Sequence, residues 1–228
     1  MRLWIVNPGS TSTKTALYQG GRCLAEETVR HPSDQLLAMD SLMEQEQLRT
    51  DAVEAALSRA LEAHPPPHAD DGAPSPPLQA VVARGGLVHP VPSGVYRVND
   101  AMLADLAAAR YGVHASNLGA PIAHRIAARL GIPALVVDPP VVDEMIPEAR
   151  YAGHPLFHRR SAFHALNHKA VARKAARDIG RPYGTLNLVV AHLGGGISVA
   201  AHRRGRVVDV NNALEEGPFS PERSGTLP

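Results

Sequence analysis

The sequence predicts an α/β protein built from two copies of one domain, the second copy incomplete. Three observations lead there. A unit of strand, polar or glycine-rich turn, strand, tight hairpin and strand opens the chain at residues 3–30 and returns at residues 188–210. Between the two, helical periodicities alternate with short apolar runs, the order of an open sheet flanked by helices. Self-similarity on this scale marks a duplicated domain. The copies divide into an expected first domain at residues 1–145 and a partial second at residues 146–228.

In the first copy, LWIV (residues 3–6) is a strand and KTALY (residues 14–18) the next. Gly20-Gly21 closes a hairpin into CLAEETVR (residues 23–30), and His31-Pro32 stops the meander. Ser33 or Asp34 is a helix cap, with Leu36, Leu37 and Met43 turned inward. A second helix is expected after Thr50 and Asp51. There Val53, Ala56, Leu57, Ala60 and Leu61 recur at the spacing of one buried face. Residues 64–77 hold six prolines and predict an exposed loop, partly polyproline II. A short buried strand, residues 80–83, then ends in Arg84-Gly85-Gly86.

Asn99 caps a helix through Ala109, and a second helix, residues 118–130, stops at Gly131 with Pro133 beyond. ALVV (residues 134–137) is a strand with Asp138 at its carboxyl end. Ser161 starts a helix carrying Phe163, Leu166, Val171 and Ile179, closed by Gly180. In the second copy, residues 188–191, 197–201 and 206–210 are strands, joined by a turn at residues 192–196 and a hairpin at Arg203-Arg204-Gly205. Only residues 211–228 follow, too few for the helices that complete the first copy. One apolar face of this meander is therefore expected to stand uncovered.

Composition excludes several classes. A net charge of +1, with no basic run longer than Arg203-Arg204, argues against a nucleic-acid binder. One cysteine, Cys23, fits a reducing cytosol and reads as a small buried hydrophobe in a strand. No apolar run approaches the roughly 20 residues of a membrane helix, and the first residues lack the pattern of a signal peptide. The expectation is a cytoplasmic protein with no membrane partner.

The turn inside IVNPGSTSTK (residues 5–14) suits phosphate: Gly9 permits close backbone approach, Ser and Thr hydroxyls donate, and Lys14 supplies a point charge. A decorated β-hairpin fits the same residues. The glycine turn at residues 192–196 repeats the arrangement after a buried strand, and the pair favours phosphate. No G-x-x-x-x-G-K-[ST] motif is present, which argues against a P-loop NTPase.

Seven strings fall in order at element boundaries: NPGSTSTK, RGG, YGVHASNLGAPIA, VDPPVVDEM, FHALNHKAVAR, HLGGGISV and VDVNNALEEGPFSPERSG. Together they resemble the butyrate kinases of the acetate kinase family, within the ribonuclease H-like, actin-like ATPase and sugar kinase superfamily. The resemblance runs over the whole chain. It implies two phosphate turns facing a nucleotide cleft. It also implies phosphate transfer between ATP and butanoate, giving butanoyl phosphate and ADP, with Mg²⁺, in a homo-oligomer.

By the same resemblance, Arg84 binds the acyl carboxylate and Arg223 neutralises the transferring phosphoryl group. His164 donates to the phosphoryl oxygens, while Asp138 and Asn7 lie near Mg²⁺. Ser10, Ser12 and Lys14 reach nucleotide phosphates, as do His192, Leu193, Gly194, Gly195 and Gly196. His164 and His168 stand four apart, a zinc-like spacing, but no third ligand has matching spacing and the family uses Mg²⁺. Asp143 and Glu144 read as first-turn helix residues.

The sequence departs from the family pattern at Ala83 and Ser93, where glycines are expected. It departs again at Thr226, where a β-branched residue would resist a positive φ. Family members continue past residue 228 into an adenosine-binding loop and a Mg²⁺-binding glutamate. Weak ATP affinity and little turnover are therefore expected, and the alternative is a catalytically impaired remnant that only binds or assembles. A sugar kinase would instead need a carboxylate base over a hydroxyl and no Arg84.

Overall fold

The computed structural model describes residues 1–67 and 75–227. The chain forms two compact units. One comprises Met1–Val88 and Val95–Val137, the other His89–Gly94 and Asp138–Pro228. The division thus falls between Val137 and Asp138, against an expected boundary after residue 145, and residues 89–94 go with the second unit.

The first unit holds a six-stranded mixed sheet of order β3-β2-β1-β4-β6-β5. Its strands are β1 (Arg2–Pro8), β2 (Ser12–Gln19), β3 (Arg22–Arg30), β4 (Ala80–Ala83), β5 (Val95–Arg97) and β6 (Ala134–Val137). β1, β4 and β6 run parallel, and β2, β3 and β5 pair antiparallel. β1 alternates buried and half-buried positions, with Trp4 and Val6 in the core, because its two faces differ in cover. The helices are α1 (Ser33–Leu37), α2 (Gln45–Ala63), α3 (Asp100–Ala107) and α4 (Gly119–Leu130). The Asn99 side chain caps α3 by accepting from Met102 N–H at 2.9 Å, and Gly131 ends α4 in the left-handed region at φ 66°.

Three expectations for this unit change. The helix placed after Thr50 begins at Gln45; Thr50 lies buried inside it and returns its hydroxyl to the Glu46 carbonyl at 2.7 Å. Leu36 is buried, but Leu37 is 86% exposed, since α1 is too short to turn both side chains inward. Cys23 is exposed in an edge strand, not buried. Residues 68–74 of the proline-rich loop lie outside the described residues, and the flanking Pro65 and Pro67 are exposed.

The second unit holds a three-stranded antiparallel sheet, β7 (Asn187–Leu193), β8 (Ile197–Arg203) and β9 (Arg206–Val210), with α5 (Ala165–Asp178). Arg204 and Gly205, at φ 50° and 85°, form the two-residue turn between β8 and β9. On β8 the period of two buries Ser198, Ala200 and His202 on one face. Exposed Val189, Leu193 and Val199 leave apolar surface on this sheet, as expected of an uncovered face.

α5 begins at Ala165, four residues later than expected, and its buried face is not the apolar one. Ala165, His168, Lys169, Ala172 and Ala176 are buried, whereas Leu166, Val171 and Ile179 are exposed. Phe163 is buried ahead of the helix. Asp143 and Glu144 do not open a helix. Asp143 takes a two-pronged contact from Arg150, at 2.8 and 2.7 Å, and Glu144 pairs with buried Lys169 at 2.6 Å while accepting from Val207 N–H.

Candidate active site

In the first unit, the turn after β1 folds on itself through Gly9 N–H to the Ser12 carbonyl at 2.7 Å. Arg49, on α2 and 1% exposed, gathers the turn's carbonyls. Its guanidinium donates to Gly9 at 2.8 Å, Ser10 at 2.6 Å and Ser12 at 3.4 Å, and Gln45 holds the same group from the preceding helical turn. With carbonyls drawn toward Arg49, Ser10, Thr11 and Lys14 stay exposed, a donor-rich surface suited to an anion. Asn7, half-buried, pairs with Lys14 across β1 and β2. Behind the turn, Thr13 bonds buried His31 at 2.8 Å; burial, then the nearby Arg49 charge, lowers this histidine to about 4.

Arg84 follows β4 as Asn7 follows the apolar run of β1, at the same end of two parallel neighbours, where α/β sheets place ligands. Its N–H donates to the Val6 carbonyl at 3.0 Å, and its side chain is half-buried. Glycines permit this loop's close packing: a Cβ on Gly119 would strike the Arg84 carbonyl, and one on Gly86 would lie 2.6 Å from Asn117 Cα. Buried Asn117 then accepts from Leu87 N–H and donates to the Gly112 carbonyl, both at 2.9 Å.

In the second unit, Asp138 is 2% exposed and adopts φ 40°, a conformation uncommon outside glycine and tolerated by Asp. One carboxylate oxygen accepts from Ser93 Oγ at 2.6 Å and Gly94 N–H at 2.8 Å; the other faces Arg173 of α5 at 3.5 Å. Ser93, unlike the glycine expected there, thus adds a hydroxyl donor to this carboxylate.

The glycine turn, Gly194, Gly195 and Gly196, brings several candidates together. A Cβ on Gly196 would collide with the Arg223 guanidinium and come within 3.2 Å of His164 Cε1. One on Gly195 would lie 2.5 Å from the Glu222 carboxylate, and Ser220 Oγ donates to the Gly195 carbonyl at 2.6 Å. Arg223 also donates to the Ala213 carbonyl beside an open cavity of about 300 Å³ lined by Ile197, Glu216 and Ser224. Thr226 avoids positive φ, which falls on Gly225 at 71°, and its hydroxyl accepts from Gly217 N–H at 3.0 Å.

His164 sits just before α5 with its ring stacked on His192, centroids 3.7 Å apart. His164 Nδ1 and His168 Nε2 each lie 2.9 Å from Ser198 Oγ, so this histidine pair converges on a hydroxyl. His168 is fully buried, its Nδ1 3.5 Å from His202 Nε2, and His202 Nδ1 is 2.6 Å from the Tyr183 hydroxyl. Burial lowers both His168 and His202 to about 4 and raises Tyr183 to about 12.

Within the second unit, therefore, His164, His192, the three glycines and Arg223 share one locality, and Asp138 is tied to α5 through Arg173. Within the first, Asn7, Ser10, Ser12 and Lys14 lie at the other turn, with Arg84 just past β4, the parallel neighbour of β1. The sequence reading missed Arg49, Ser198, His202, Tyr183 and Arg173. Arg49 carried a signal, a charge one turn ahead of the Val53 stripe and in phase with it. Ser198 and His202 share a strand face but carry no motif of their own.

Residues 143–225 match the model of the acetokinase family. A probable butyrate kinase of Listeria innocua is 54% identical over 98% of this chain, and one of Coprothermobacter proteolyticus is 55% identical over 98%. The chain spans 60% of the length of each. Among solved structures, the acetate kinase of Porphyromonas gingivalis is similar over 100% of this chain and 61% of its own, with TM-score 0.70 and 19% identity. A propionate kinase from Francisella tularensis follows at TM-score 0.63, over 100% of this chain and 62% of its own, again at 19% identity. These structural likenesses carry the fold.

Proposed function

We propose that this chain is a member of the acetokinase family and that it carries out short-chain fatty acid phosphorylation, with butanoate and ATP giving butanoyl phosphate and ADP. The observation that carries the proposal is the convergence of Arg223, His164 and the Gly196 backbone, where a Cβ on that glycine would have to push the Arg223 guanidinium aside. Such closeness suits a group that must approach the main chain, as a phosphate does.

A fatty acid, with a pKa near that of Glu at about 4.3, is already ionised at neutral pH and needs no general base. The barrier is repulsion between two anions and their alignment for in-line attack. In the proposed reaction a carboxylate oxygen attacks the γ-phosphorus and ADP leaves. Arg84 offers a planar fork to the fatty-acid carboxylate. Arg223 compensates the charge that spreads over the transferring phosphoryl oxygens, and His164 donates a hydrogen bond to one of them. Ser10, Ser12, Lys14 and the turn at residues 192–196 bind nucleotide phosphates, the latter through backbone of His192, Leu193, Gly194, Gly195 and Gly196.

Asn7 and Asp138 supply oxygen donors of the hard kind that Mg²⁺ prefers, and Asp138 has one oxygen committed to Ser93 and Gly94 and a second facing only Arg173 among its described polar partners. Each side chain by itself offers chemistry suited to the ion, which when bound would neutralise phosphate charge. A cytoplasmic setting and a homo-oligomer belong to the same proposal; among the described residues no helix is long and apolar enough to cross a membrane.

The test is a hydroxamate assay for acyl phosphate with Mg-ATP and butyrate. Turnover that falls at least about 100-fold in Arg223→Ala and in His164→Ala, and in Arg84→Ala with a raised KM for butyrate, is expected. Absence of any hydroxamate at saturating substrates would overturn the proposal for this chain.

A further inference from the structure

We propose that Ser198, His168, His202 and Tyr183 form a directional hydrogen-bond relay that fixes His164 as the tautomer with its proton on Nε2. The four are positioning residues. The inference rests on the reading of His164 as a donor, since a histidine that must donate from its outer nitrogen needs that proton placed there.

The direction of the chain follows from its far end. Between a phenol and an imidazole, the O–H is the better donor and the ring nitrogen the better acceptor, so the Tyr183 hydroxyl donates to His202 Nδ1 across 2.6 Å. A neutral imidazole carries one proton, so His202 must hold its own on Nε2. That nitrogen faces His168 Nδ1 at 3.5 Å, the longest link of the chain. His168 is then protonated on Nε2 and donates to Ser198 Oγ at 2.9 Å.

Ser198 has one hydrogen to give, and it goes to the remaining partner, His164 Nδ1, at 2.9 Å. An Nδ1 that accepts leaves the His164 proton on Nε2. The burial of His168 and His202, and their lowering to about 4, keep both rings neutral near pH 7, as a chain of single protons requires.

The reverse direction is disfavoured twice. It would make the phenol oxygen accept from an imidazole N–H and leave the phenol proton to find another acceptor. It would also turn His164 Nε2 into an acceptor aimed at a phosphoryl oxygen, another acceptor. Protonating His164 on both nitrogens fares no better, because Ser198, fully buried, would then face two ring donors with no acceptor for its own hydrogen among its described partners.

The sequence logic is compact. Ser198 and His202 lie on one face of β8 by strand alternation, and His164 and His168 lie four apart at the start of α5. One helix face against one strand face builds the relay, with Tyr183, between α5 and β7, closing its end.

Long-range ¹H–¹⁵N correlation spectra of ¹⁵N-histidine-labelled full chain at pH 7.5, assigned with His164→Gln, read the tautomer directly and without reference to turnover. Wild type is expected to show His164 protonated on Nε2 alone. In Ser198→Ala, and more weakly in Tyr183→Phe, the Nδ1–H form should rise at least several-fold from its wild-type level. Should Ser198→Ala fail to fold, Tyr183→Phe gives the same reading from the half-buried end of the chain. A wild-type His164 protonated on Nδ1 overturns the proposal, as does a tautomer unchanged in every folded variant. If no acyl phosphate forms, the kinase reading fails while the spectra still decide the relay; if it does form, kcat should fall with little change in KM for butyrate in Ser198→Ala.

Discussion

Arg49 Nη2 donates to the Ser10 carbonyl at 2.6 Å, joining the second turn of α2 to the turn that follows β1. The guanidinium lies almost wholly out of solvent, and burial lowers its pKa, so the carbonyls of Gly9, Ser10 and Ser12 form its immediate polar surroundings together with Gln45. Arg49→Met would leave those carbonyls without their donor, at a cost of about 2–4 kcal/mol. Arg49→Lys keeps the charge but loses the fork, and the KM for ATP should rise about tenfold with a smaller loss of Tm. Thermal unfolding beside initial rates checks both; equal Tm in wild type and Arg49→Met would refute the clamp.

Gly196→Ala should place a methyl group against the Arg223 guanidinium and displace it. A fall in kcat of about 100- to 1000-fold is expected, with circular dichroism unchanged. Gly184→Ala is the control, because a Cβ there meets nothing within 4 Å. Similar rates for the two variants would exclude the crowding argument.

Lys169 and Glu144 pair at 2.6 Å with side chains 1% and 10% exposed. Lys169 Nζ also donates to the Gly205 carbonyl at 2.9 Å, binding α5 to the hairpin turn. Lys169→Met alone leaves a buried carboxylate uncompensated and should cost about 3–5 kcal/mol. Adding Glu144→Gln removes the stranded charge, so the double variant should recover part of that loss. Urea unfolding of the four proteins measures the coupling, and strictly additive effects would contradict it.

His31, His168 and His202 are each lowered to about 4 from an ordinary 6.5, chiefly by burial. The unfolded chain therefore binds protons between pH 6.5 and 4 that the native state refuses. Stability is complete above pH 6.5 and declines as pH falls toward 4, by up to about 3 kcal/mol per histidine. Denaturant midpoints at pH 7.5, 6, 5 and 4.5 should decrease in that order, and His31→Gln should flatten the slope. A midpoint independent of pH would remove the basis of this linkage.

The parts of the fold legible in sequence are those where packing follows apolar periodicity. The Val53, Ala56, Leu57 and Ala60 stripe of α2 is buried as its spacing required, and α4 stops at Gly131 as its residues dictate. α5 was illegible on the same principle, because its buried face is made of alanine, His168 and Lys169 while its larger apolar residues face out. Turn chemistry announced the two glycine-bearing loops and their motif residues. It did not announce the side chains that support them, since Arg49 and Ser198 act across 39 and 34 residues of chain respectively. Glu144 was misplaced for a similar reason: its partner, Lys169, is 25 residues away and buried.

The two-residue turn at Arg204 and Gly205 has a bearing on the order in which the molecule assembles. β7, β8 and β9 connect only to their neighbours in sequence, between residues 187 and 210, so loop closure is short for every pairing. β1, by contrast, finds its parallel partner β4 with Leu3 opposite Ala80. Topology therefore favours early protection of the hairpins carrying Ser198 and His202, and late protection of the β1–β4 seam beside Asn7 and Arg84. Pulse-labelled hydrogen exchange during refolding would register that difference as slower protection of the Trp4 and Val82 amides than of those in β8. The strand face of the histidine relay would then be laid down on a scaffold formed locally, before the turn after β1 has found its place.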